Sequence, residues 1–522
     1  MRDESLRDDH AELLRRRELT EDAARPDAVA RRHAANARTA RENIADLVDD
    51  GSFVEYGRFA IAAQRHRRDL DDLIARTPAD GLVAGTARVN GDLFGDERSA
   101  CAVLSYDYTV LAGTQGALGH RKKDRLFELI ERLRLPTVFF AEGGGGRPGD
   151  TDIPSVSALD ARAFKLWAAL SGVVPRIAVV HGRCFAGNAV IAGCADLMVA
   201  TENTSIGMGG PAMIAGGGLG DVPPDEVGPI SMQAPNGVVD VVVADEAEAV
   251  AVTKRLLGYF QGSTEPGRVT DQTRLRTIVP ERARRAYQVA PIIETIADEG
   301  SATFLRTKFA PEMVTALARI HGRPVGVIAN NTMVMAGAIT AAAADKAARF
   351  LQLCDAFGLP VLSLVDCPGY MVGPAAESEA LVRRASRMLV AGASLEVPLI
   401  AVILRRGYGL GAQAMTGGSL REPALTVAWS GAHLGPMGLE GAVRLGMRKE
   451  LEAIADDDER EERVRQATAA AQENAKALNA AALFEIDDVI DPAETREIII
   501  NTLTAASAHA PERQGRRFVD TW

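Results

Sequence analysis

The chain has 522 residues, of which 47% are hydrophobic and 25% charged, and its formal net charge is −11 at pH 7. This length accommodates two or three domains with full cores, and the acidic balance argues against nucleic acid as the main partner. No apolar segment is long enough to span a bilayer, and no basic segment followed by an apolar run opens the sequence. We therefore expect a cytoplasmic protein without membrane contact.

Residues 1–50 are rich in Arg, Asp, Glu and Ala, with Leu and Ala at heptad-like spacing. This pattern predicts an arm of exposed helices, broken near Arg25-Pro26 because proline disfavours helix at the residue before it. A charge run of this kind is typical of a solvated face or an oligomerisation arm rather than a binding site.

The segment 100–133 reads as a strand, a polar turn with Gly113 and Gly116, and a helix that carries Lys122 and Lys123 near its start. Cations beside a glycine-rich turn suit a phosphate-bearing ligand. A solvated helix end is the alternative, and this segment alone does not separate the two.

Gly143, Gly144 and Gly145 follow an apolar strand, where glycines permit a ligand to approach the backbone closely. A P-loop is excluded, because Arg147-Pro148 stands where that motif needs lysine. The five cysteines have no metal-ligand spacing and no Cys-x-x-Cys, so we expect buried free thiols and no metal.

The most informative feature is an internal repeat. VPRIAVVHGRCFAGNA starts at residue 174, and VPLIAVILRRGYGLGA starts at residue 397, 223 residues later. A repeat of this length indicates two homologous domains rather than a solenoid. The polar, Gly/Pro-containing segment 261–274 is the best boundary, which gives domains 1–262 and 263–522.

Each copy of the repeat is an apolar strand that ends in a glycine turn and opens a helix. Such a turn presents free backbone N–H groups, backed by the helix dipole, to a negative oxygen. Alternating strands and helices indicate an α/β fold, here present twice, with ligands at the strand ends.

Three kinds of chemistry compete for these turns. Dinucleotide binding fits poorly, since Gly407, Gly409 and Gly411 have the spacing G-x-G-x-G rather than G-x-G-x-x-G. Nucleophilic hydrolysis fits poorly too, because there is no G-x-S-x-G and no histidine pairs with a suitable Ser or Cys. Enolate chemistry on a thioester needs only N–H groups aimed at a carbonyl oxygen.

Several motifs then resemble one family, the carboxyltransferase (β) subunits of biotin-dependent acyl-CoA carboxylases in the crotonase-like superfamily. They are DYTVLAG (107–113), GRCFAGNA (182–189), GRPVGVIANN (322–331), DKAARFLQLCDAFGLP (345–360), DCPGYMVG (366–373), GPMGLEGAV (435–443) and DDVIDPAETR (487–496). The resemblance implies two crotonase-like β-β-α spiral domains and a role in fatty acid metabolism.

The family mechanism implies that carboxybiotin loses CO2, that the biotin enolate takes the α-proton of the acyl-CoA, and that the acyl enolate attacks CO2. By resemblance, the first domain holds the acyl-CoA oxygen through the N–H groups of Ala186 and Gly187. The second holds the biotin oxygen through those of Leu410 and Gly411. Further cofactor contacts are expected at Gly143, Gly144, Gly145, Lys122, Lys123, Tyr408, Gly409, Gly435 and Pro436.

The chain departs from the family where substrate choice is decided. Gly409-Leu410-Gly411 replaces the usual Gly-Gly-Ala, and Phe185-Ala186-Gly187 replaces Ala-Gly-Gly. Gln413 stands where the family often has an Asp that influences acyl-chain choice. We therefore expect Gln413 and Phe185 to affect specificity, and the sequence does not name the acyl group.

The chain shows neither a Met-Lys-Met biotin attachment site nor an ATP-grasp glycine loop. We therefore expect a biotin carboxylase and biotin carboxyl carrier (α) subunit as partner. The resemblance also implies a trimer-of-dimers hexamer, with stacked rings of trimers and active sites shared between subunits. Two alternatives stay open: a biotin-dependent decarboxylase subunit that runs the reverse reaction, and a non-catalytic acyl-CoA-binding scaffold.

Overall fold

The computed structural model describes residues 7–154, 156–157, 159–282, 285–508, 515 and 517–522. The described residues up to Gly262 form one compact unit, and Ser263–Asp520 form a second. Each unit is built around its own sheet and its own hydrophobic core.

The sheet of the first unit has the order β1-β2-β3-β4-β5-β6-β8, and β7 pairs with β5 beyond the end of β6. The β1–β2 and β2–β3 pairs are antiparallel, and the pairs from β3–β4 onward are parallel. The strands are β1 Val54–Glu55, β2 Leu82–Arg88, β3 Ala100–Tyr106, β4 Thr137–Gly143, β5 Arg176–Phe185, β6 Leu197–Thr201, β7 Ser205–Gly207 and β8 Val241–Val243.

The helices of the first unit are α1 Asp8–Glu18, α2 Pro26–Ala34, α3 Ala40–Leu47, α4 Leu70–Arg76, α5 Gly91–Ser99, α6 Ala117–Leu133, α7 Ala163–Ala168, α8 Gly187–Gly193, α9 Pro211–Gly216, α10 Ile230–Gln233 and α11 Glu246–Gln261. A 3₁₀ turn, Leu111–Gly113, precedes α6. The core lies between the parallel strands and the helices α6 and α7, around the fully buried Trp167. Its ring contacts those of Phe127 and Phe139.

The second unit repeats this arrangement with the order β9-β10-β11-β12-β13-β14-β16, and β15 pairs with β13. β9, β10 and β11 are antiparallel and the remaining pairs parallel. The strands are β9 Thr303–Leu305, β10 Met313–Ile320, β11 Arg323–Asn330, β12 Val361–Cys367, β13 Leu399–Tyr408, β14 Leu425–Trp429, β15 His433–Gly435 and β16 Asp488–Ile490.

The helices of the second unit are α12 Leu275–Ile278, α13 Ala290–Ile296, α14 Ala341–Ala356, α15 Pro374–Glu377, α16 Leu381–Ala393, α17 Gly409–Met415, α18 Leu439–Gly446, α19 Arg448–Ala453, α20 Asp457–Asn474, α21 Ala477–Ala482 and α22 Thr495–Ala508. Here the 3₁₀ turn Met335–Gly337 precedes α14. The identical strand order of the two sheets confirms the predicted doubled α/β fold.

The parallel strands read as continuous apolar runs because both faces of the sheet are covered. Every residue of β4 and of β12 is buried, and each fully buried Leu, Val or Phe contributes roughly 1.5–3 kcal/mol relative to exposure. The carboxyl ends of these strands are therefore held rigidly by the buried sheet, which fixes where the loops that follow them begin.

The N-terminal segment is more deeply integrated than its sequence predicts. Pro26 does not only interrupt a helix; it occupies the first position of α2, where its missing N–H costs nothing. Thr39 and Glu42 form a capping box that starts α3, and Ile44 and Leu47 on that helix are buried. None of the helices in the described part of the chain is both long and apolar enough to cross a bilayer.

Candidate functional site

The first candidate site is the turn between β5 and α8. Ala186 has φ 51°, ψ −125°, a conformation that L-residues rarely adopt, and it redirects the chain so that α8 begins at Gly187. As residues of the first helical turn, Gly187 and its successors have N–H groups without a partner inside the helix. The turn thus offers backbone donors at the carboxyl end of a buried strand.

A glycine loop lies directly against this turn. A Cβ on Gly145 would sit 2.7 Å from Ala186 Cβ and 3.5 Å from the Gly187 nitrogen. Gly143 in turn crosses Gly113 of the preceding 3₁₀ turn with no room for a side chain on either. The glycines between residues 143 and 145 therefore serve close approach, with Gly143 and Gly145 buried and Gly144 exposed.

Behind the turn lies a buried polar network that the sequence did not reveal. Asn188 Nδ2 donates to the carbonyl oxygens of Gly113 (3.1 Å) and Glu142 (2.7 Å), which ties α8 to both crossing loops. Gln115 Nε2 donates to Asn188 Oδ1 at 2.9 Å, and Lys123 Nζ donates to Gln115 Oε1 at 2.6 Å. This network fixes the position of the first helical turn.

The structure corrects the expectation for Lys122 and Lys123. Both are buried: Lys122 Nζ donates to the carbonyl oxygens of Ala79 and Leu82, and burial lowers the pKa of Lys123 to about 7. Lys346 at the matching place of the second unit binds carbonyl oxygens in the same way. A cation buried under the backbone is not available to a phosphate, so these lysines have a structural role.

Two predicted residues of the first turn are engaged within the unit. The Ala186 N–H donates to the Gly207 carbonyl oxygen at 3.0 Å, so it is not available as the oxyanion donor that the resemblance implies, whereas Gly187 carries no such bond to β7. The Phe185 ring is buried beneath Gly207 and Gly210, whose added Cβ atoms would lie 3.5 and 3.1 Å from it. Phe185 therefore supports the segment above it.

The second candidate site is the turn between β13 and α17. Gly409 has φ +60° and an added Cβ would lie 3.0 Å from the Pro436 carbonyl oxygen. An added Cβ on Gly411 would lie 2.7 Å from Cys367 Sγ and 2.8 Å from the Gly369 backbone. The loop after β12 thus crosses this turn as the Gly143–Gly145 loop crosses the first, while the Leu410 side chain is 64% exposed.

The strand pairings show which residues of the first turn correspond to which residues of the second turn. Phe185 pairs with Gly207 in β7, and Tyr408 pairs with Gly435 in β15. Ala186 and Gly409, the next residues, both have positive φ. By this register Leu410 and Gly411, the predicted donors of the second turn, lie one residue further along than Ala186 and Gly187.

Asp366 holds the second turn from behind. Its carboxylate is fully buried and accepts from Arg405 Nε at 3.0 Å, from Arg406 Nε at 2.5 Å and from the Tyr287 hydroxyl at 2.8 Å. The Arg405 guanidinium also lies 4.9 Å from the centre of the Tyr287 ring. A carboxylate with three charge-assisted or hydroxyl donors is a strong junction, and this one joins the ends of β12 and β13.

A cavity of about 630 Å³ opens beside this turn, a size typical of small-molecule sites. Its wall is formed by the ends of β12 and β13 and by α18 and α20, and the lining residues are Pro368, Arg406, Tyr408, Gly438, Leu439, Glu440, Gly441, Glu461, Val464, Arg465, Thr468, Ala469 and Gln472. Gly435 and Pro436 lie at the adjacent strand end. Gln413 is exposed on α17 and does not line this cavity.

The cysteines near the turns are not nucleophiles. Burial raises the pKa of Cys367 to about 12, and burial likewise raises that of Cys184 far above its ordinary value. Both thiols stay protonated and fill space. Within the described ranges, no group of three or more His, Cys, Asp or Glu side chains is placed to hold a metal ion.

Comparisons with known proteins identify the family. The carboxyl transferase domain matches residues 31–518. The methylmalonyl-CoA carboxyltransferase 12S subunit of Propionibacterium freudenreichii subsp. shermanii is 34% identical over 97% of this chain and 95% of its own length. A crystal structure of transcarboxylase 12S, a hexamer with methylmalonyl-CoA bound, matches with a TM-score of 0.84 and 30% identity over 98% of this chain and 97% of that one.

A single-chain, multi-domain long-chain acyl-CoA carboxylase matches with a TM-score of 0.91 and 55% identity over 95% of this chain. The chain spans 49% of the length of that carboxylase. The family match over nearly the whole chain and the full-length relative lead to the same conclusion. The chain belongs to the carboxyl transferase family and is a carboxyltransferase component of the biotin-dependent acyl-CoA carboxylase kind.

Proposed function

We propose that this chain moves a carboxyl group from carboxybiotin, carried by a partner biotin carboxyl carrier subunit, to the α-carbon of an acyl-CoA. The observation that carries the proposal is a duplication within the described residues: each unit has a strand-end turn that opens a helix and is crossed by the loop that follows the neighbouring strand. A transfer between two carbonyl-containing reactants needs two sites that stabilise negative oxygen.

In the first unit the Gly187 N–H, with the crossing loop Gly143–Gly145, would bind the thioester oxygen of the acyl-CoA as it becomes an enolate oxygen. The network through Asn188 and Gln115 keeps these donors in place before the substrate arrives. Such preorganised donors typically change a rate by roughly 100- to 1,000-fold each.

In the second unit the N–H groups of Leu410 and Gly411 would bind the ureido oxygen of the biotin ring, and the cavity of about 630 Å³ beside Tyr408 would hold the ring. Carboxybiotin supplies the carboxyl group. The start of α17 follows Tyr408, which lines this cavity, and Gly409 and Gly411 allow Pro436 and Gly369 to pack closely against the turn.

The acyl group is proposed to be long. Met208, Met213 and Leu219 are exposed on the segment that covers Phe185, and that segment is bound to the first turn through Gly207. Exposed apolar side chains beside a thioester site form a surface on which an alkyl chain can pack. Each methylene group that is buried there stabilises binding by about 0.8 kcal/mol. The 55% identity to a long-chain acyl-CoA carboxylase supports the same substrate class.

We further propose that the chain assembles as a hexamer, as the similar 12S subunit does. Light scattering on the purified chain tests this: six chains of 55.4 kDa have a mass of about 332 kDa. A monomer or dimer at micromolar concentration would contradict the proposed assembly.

The activity is tested with this chain alone. It is incubated with malonyl-CoA, methylmalonyl-CoA or 2-carboxypalmitoyl-CoA, with and without biocytin, and loss of the carboxylate is followed by mass spectrometry. We expect biocytin-dependent loss, fastest for the long substrate. Carboxylate loss that does not depend on biocytin would contradict the proposal. Binding of the CoA ester without turnover, even with a biotinylated carrier domain, would also contradict it and would favour the scaffold alternative.

A further inference from the structure

The N-terminal arm reaches into the first unit at the loops that form its turn. Arg32 on α2 forms a bidentate ion pair with Glu142, with Nη1–Oε1 and Nη2–Oε2 distances of 2.9 Å. Both side chains are almost completely buried, at 11% and 4% exposure. A planar guanidinium that meets a carboxylate in this way fixes orientation as well as distance.

Glu142 is the last residue before the glycine loop of the first site. Its carbonyl oxygen accepts from Asn188 Nδ2 at 2.7 Å, and Gly143, which follows it, crosses Gly113. Any movement of Glu142 therefore moves the loop that lies against Gly187. Arg32 is thus connected to the proposed acyl-CoA site through a single buried residue.

A second arginine of the arm holds the neighbouring loop. Arg25 Nη1 donates to Thr109 Oγ1 at 2.6 Å, and Arg25 Nη2 donates to Asp107 Oδ2 at 3.1 Å. Asp107 and Thr109 lead into the 3₁₀ turn that ends at Gly113. The arm therefore binds both of the loops that cross at the first turn.

The second unit shows why the arm is needed. There the buried carboxylate of Asp366, at the end of β12, is held by Arg405 and Arg406 of the neighbouring strand. The ladder register places Gly182 of β5 where β13 has Arg405. Gly182 has φ +63° and no room for a side chain against the Glu142 carboxylate, so β5 has no counterpart of Arg405. Arg183, which the register aligns with Arg406, lies 3.5 Å from Asp225.

The other side chains around Glu142 do not replace Arg32. His181 Nδ1 lies 3.4 Å from Glu142 Oε2 and 2.8 Å from Glu246 Oε1, so it reaches one oxygen of Glu142 and lies closer to Glu246. Arg32 is the residue that meets both oxygens of Glu142.

We propose that Arg32, acting through Glu142, is a positioning residue for the acyl-CoA site, so that the N-terminal arm is part of the catalytic architecture. This inference rests on the proposed carboxyl transfer. It differs from a purely structural role because a positioning residue affects one reactant more than the other.

The test uses the full chain with Arg32→Ala, Arg32→Lys and, as a matched control, Arg31→Ala, since Arg31 is the exposed neighbour on the same helix. Biocytin-dependent carboxylate loss is measured with 2-carboxypalmitoyl-CoA and biocytin varied separately. A displacement of about 1 Å can cost up to roughly 100-fold in rate, and we expect kcat/KM for the acyl-CoA to fall at least about 10-fold in Arg32→Ala. Arg32→Lys should lie between it and wild type.

The KM for biocytin should stay within about twofold of wild type in all three variants. An equal loss toward both reactants, or wild-type kinetics in a folded Arg32→Ala protein, would overturn the inference. Equilibrium binding of malonyl-CoA gives a readout that needs no turnover: affinity should weaken in Arg32→Ala and not in Arg31→Ala. A wild-type chain without turnover would count against the proposed function, whereas the binding comparison would still decide the role of Arg32.

Discussion

Single buried charges, rather than glycines alone, hold the turns of this protein in place. Lys123 shows this most clearly, because its ammonium donates to Gln115 Oε1 and to the Tyr106 hydroxyl without reaching solvent. In the sequence, a cation beside a glycine turn indicates phosphate binding. Its burial is not visible there, since the side chains that enclose Lys123 come from β3 and from the turn before α6.

The titration of Lys123 gives a test at this scale. Burial lowers its folded-state pKa to about 7, below the unfolded value of about 10.4. Between these values the unfolded chain binds more protons, so this group makes the free energy of unfolding rise with pH. In Lys123→Met this contribution disappears, and wild type should gain stability relative to the variant by up to about 1.4 kcal/mol per pH unit above pH 7.

Urea unfolding of both proteins at pH 7, 8 and 9 measures the difference. Arg125→Met, an exposed change on the same helix, should show a constant difference from wild type. Parallel curves for wild type and Lys123→Met would mean that the ammonium is not buried in the folded state.

Asp366 makes a second prediction about a single residue. Removing one partner of a buried ion pair costs roughly 3–5 kcal/mol, because the other charge stays buried and unpaired. Asp366→Asn should therefore lower the midpoint of thermal unfolding of the second unit clearly, as measured by calorimetry. Glu452→Gln breaks an exposed pair with Arg448 and should change stability by less than about 1 kcal/mol; similar shifts for both variants would refute the role given to Asp366.

Among the helices and strands, those with a local sequence signal were the most predictable. The apolar strands and the glycine turns after β5 and β13 were predictable from hydrophobic runs and from their repetition. Other features were not: α15 and α16 are separate helices because Ala380, between them, adopts φ 60°. Arg32 and Glu142 are separated by 110 residues, and no local pattern indicates that such residues meet.

The proposed length of the acyl chain can be tested on the short helix α9. Met213 is 64% exposed on it and belongs to the segment that covers Phe185. If an alkyl chain lies there, Met213→Asp should lower kcat/KM for 2-carboxypalmitoyl-CoA at least about 10-fold more than for malonyl-CoA, because a charge removes apolar contact that only the long chain makes. Leu133→Asp, a change at an exposed apolar residue at the end of α6, should leave the ratio unchanged. An unchanged ratio in Met213→Asp would place the chain elsewhere.

The whole molecule contains the same structural arrangement twice, and the residues that support it differ between the two copies. The strand order and the 3₁₀ turns are the same in both units, whereas the groups behind the strand-end turns differ. Asn188, Gln115 and the arm stabilise the first turn, and Asp366 with two arginines stabilises the second. A reaction with two chemically different reactants gives a reason for such divergence after duplication.

This specialisation predicts that the two turns can be impaired separately. An added Cβ on Gly187 would lie 2.9 Å from Gln115 Nε2 and 3.0 Å from the Phe164 ring, so Gly187→Ala should disturb the first turn and raise the KM for the acyl-CoA. Gly411→Ala, with an added Cβ 2.7 Å from Cys367 Sγ, should disturb the second and raise the KM for biocytin. We expect each KM to change by about 10-fold and the other by less than about twofold.

Each unit offers its own control for this experiment. Gly193 and Gly431 have open space around an added Cβ and no positive φ, so Gly193→Ala and Gly431→Ala should leave both KM values near those of wild type. Steady-state kinetics of biocytin-dependent carboxylate loss, with each reactant varied at a saturating level of the other, gives all four comparisons. If Gly187→Ala and Gly411→Ala raise the same KM, the two units do not divide the reactants between them, and the assignment of one turn to each would have to be abandoned.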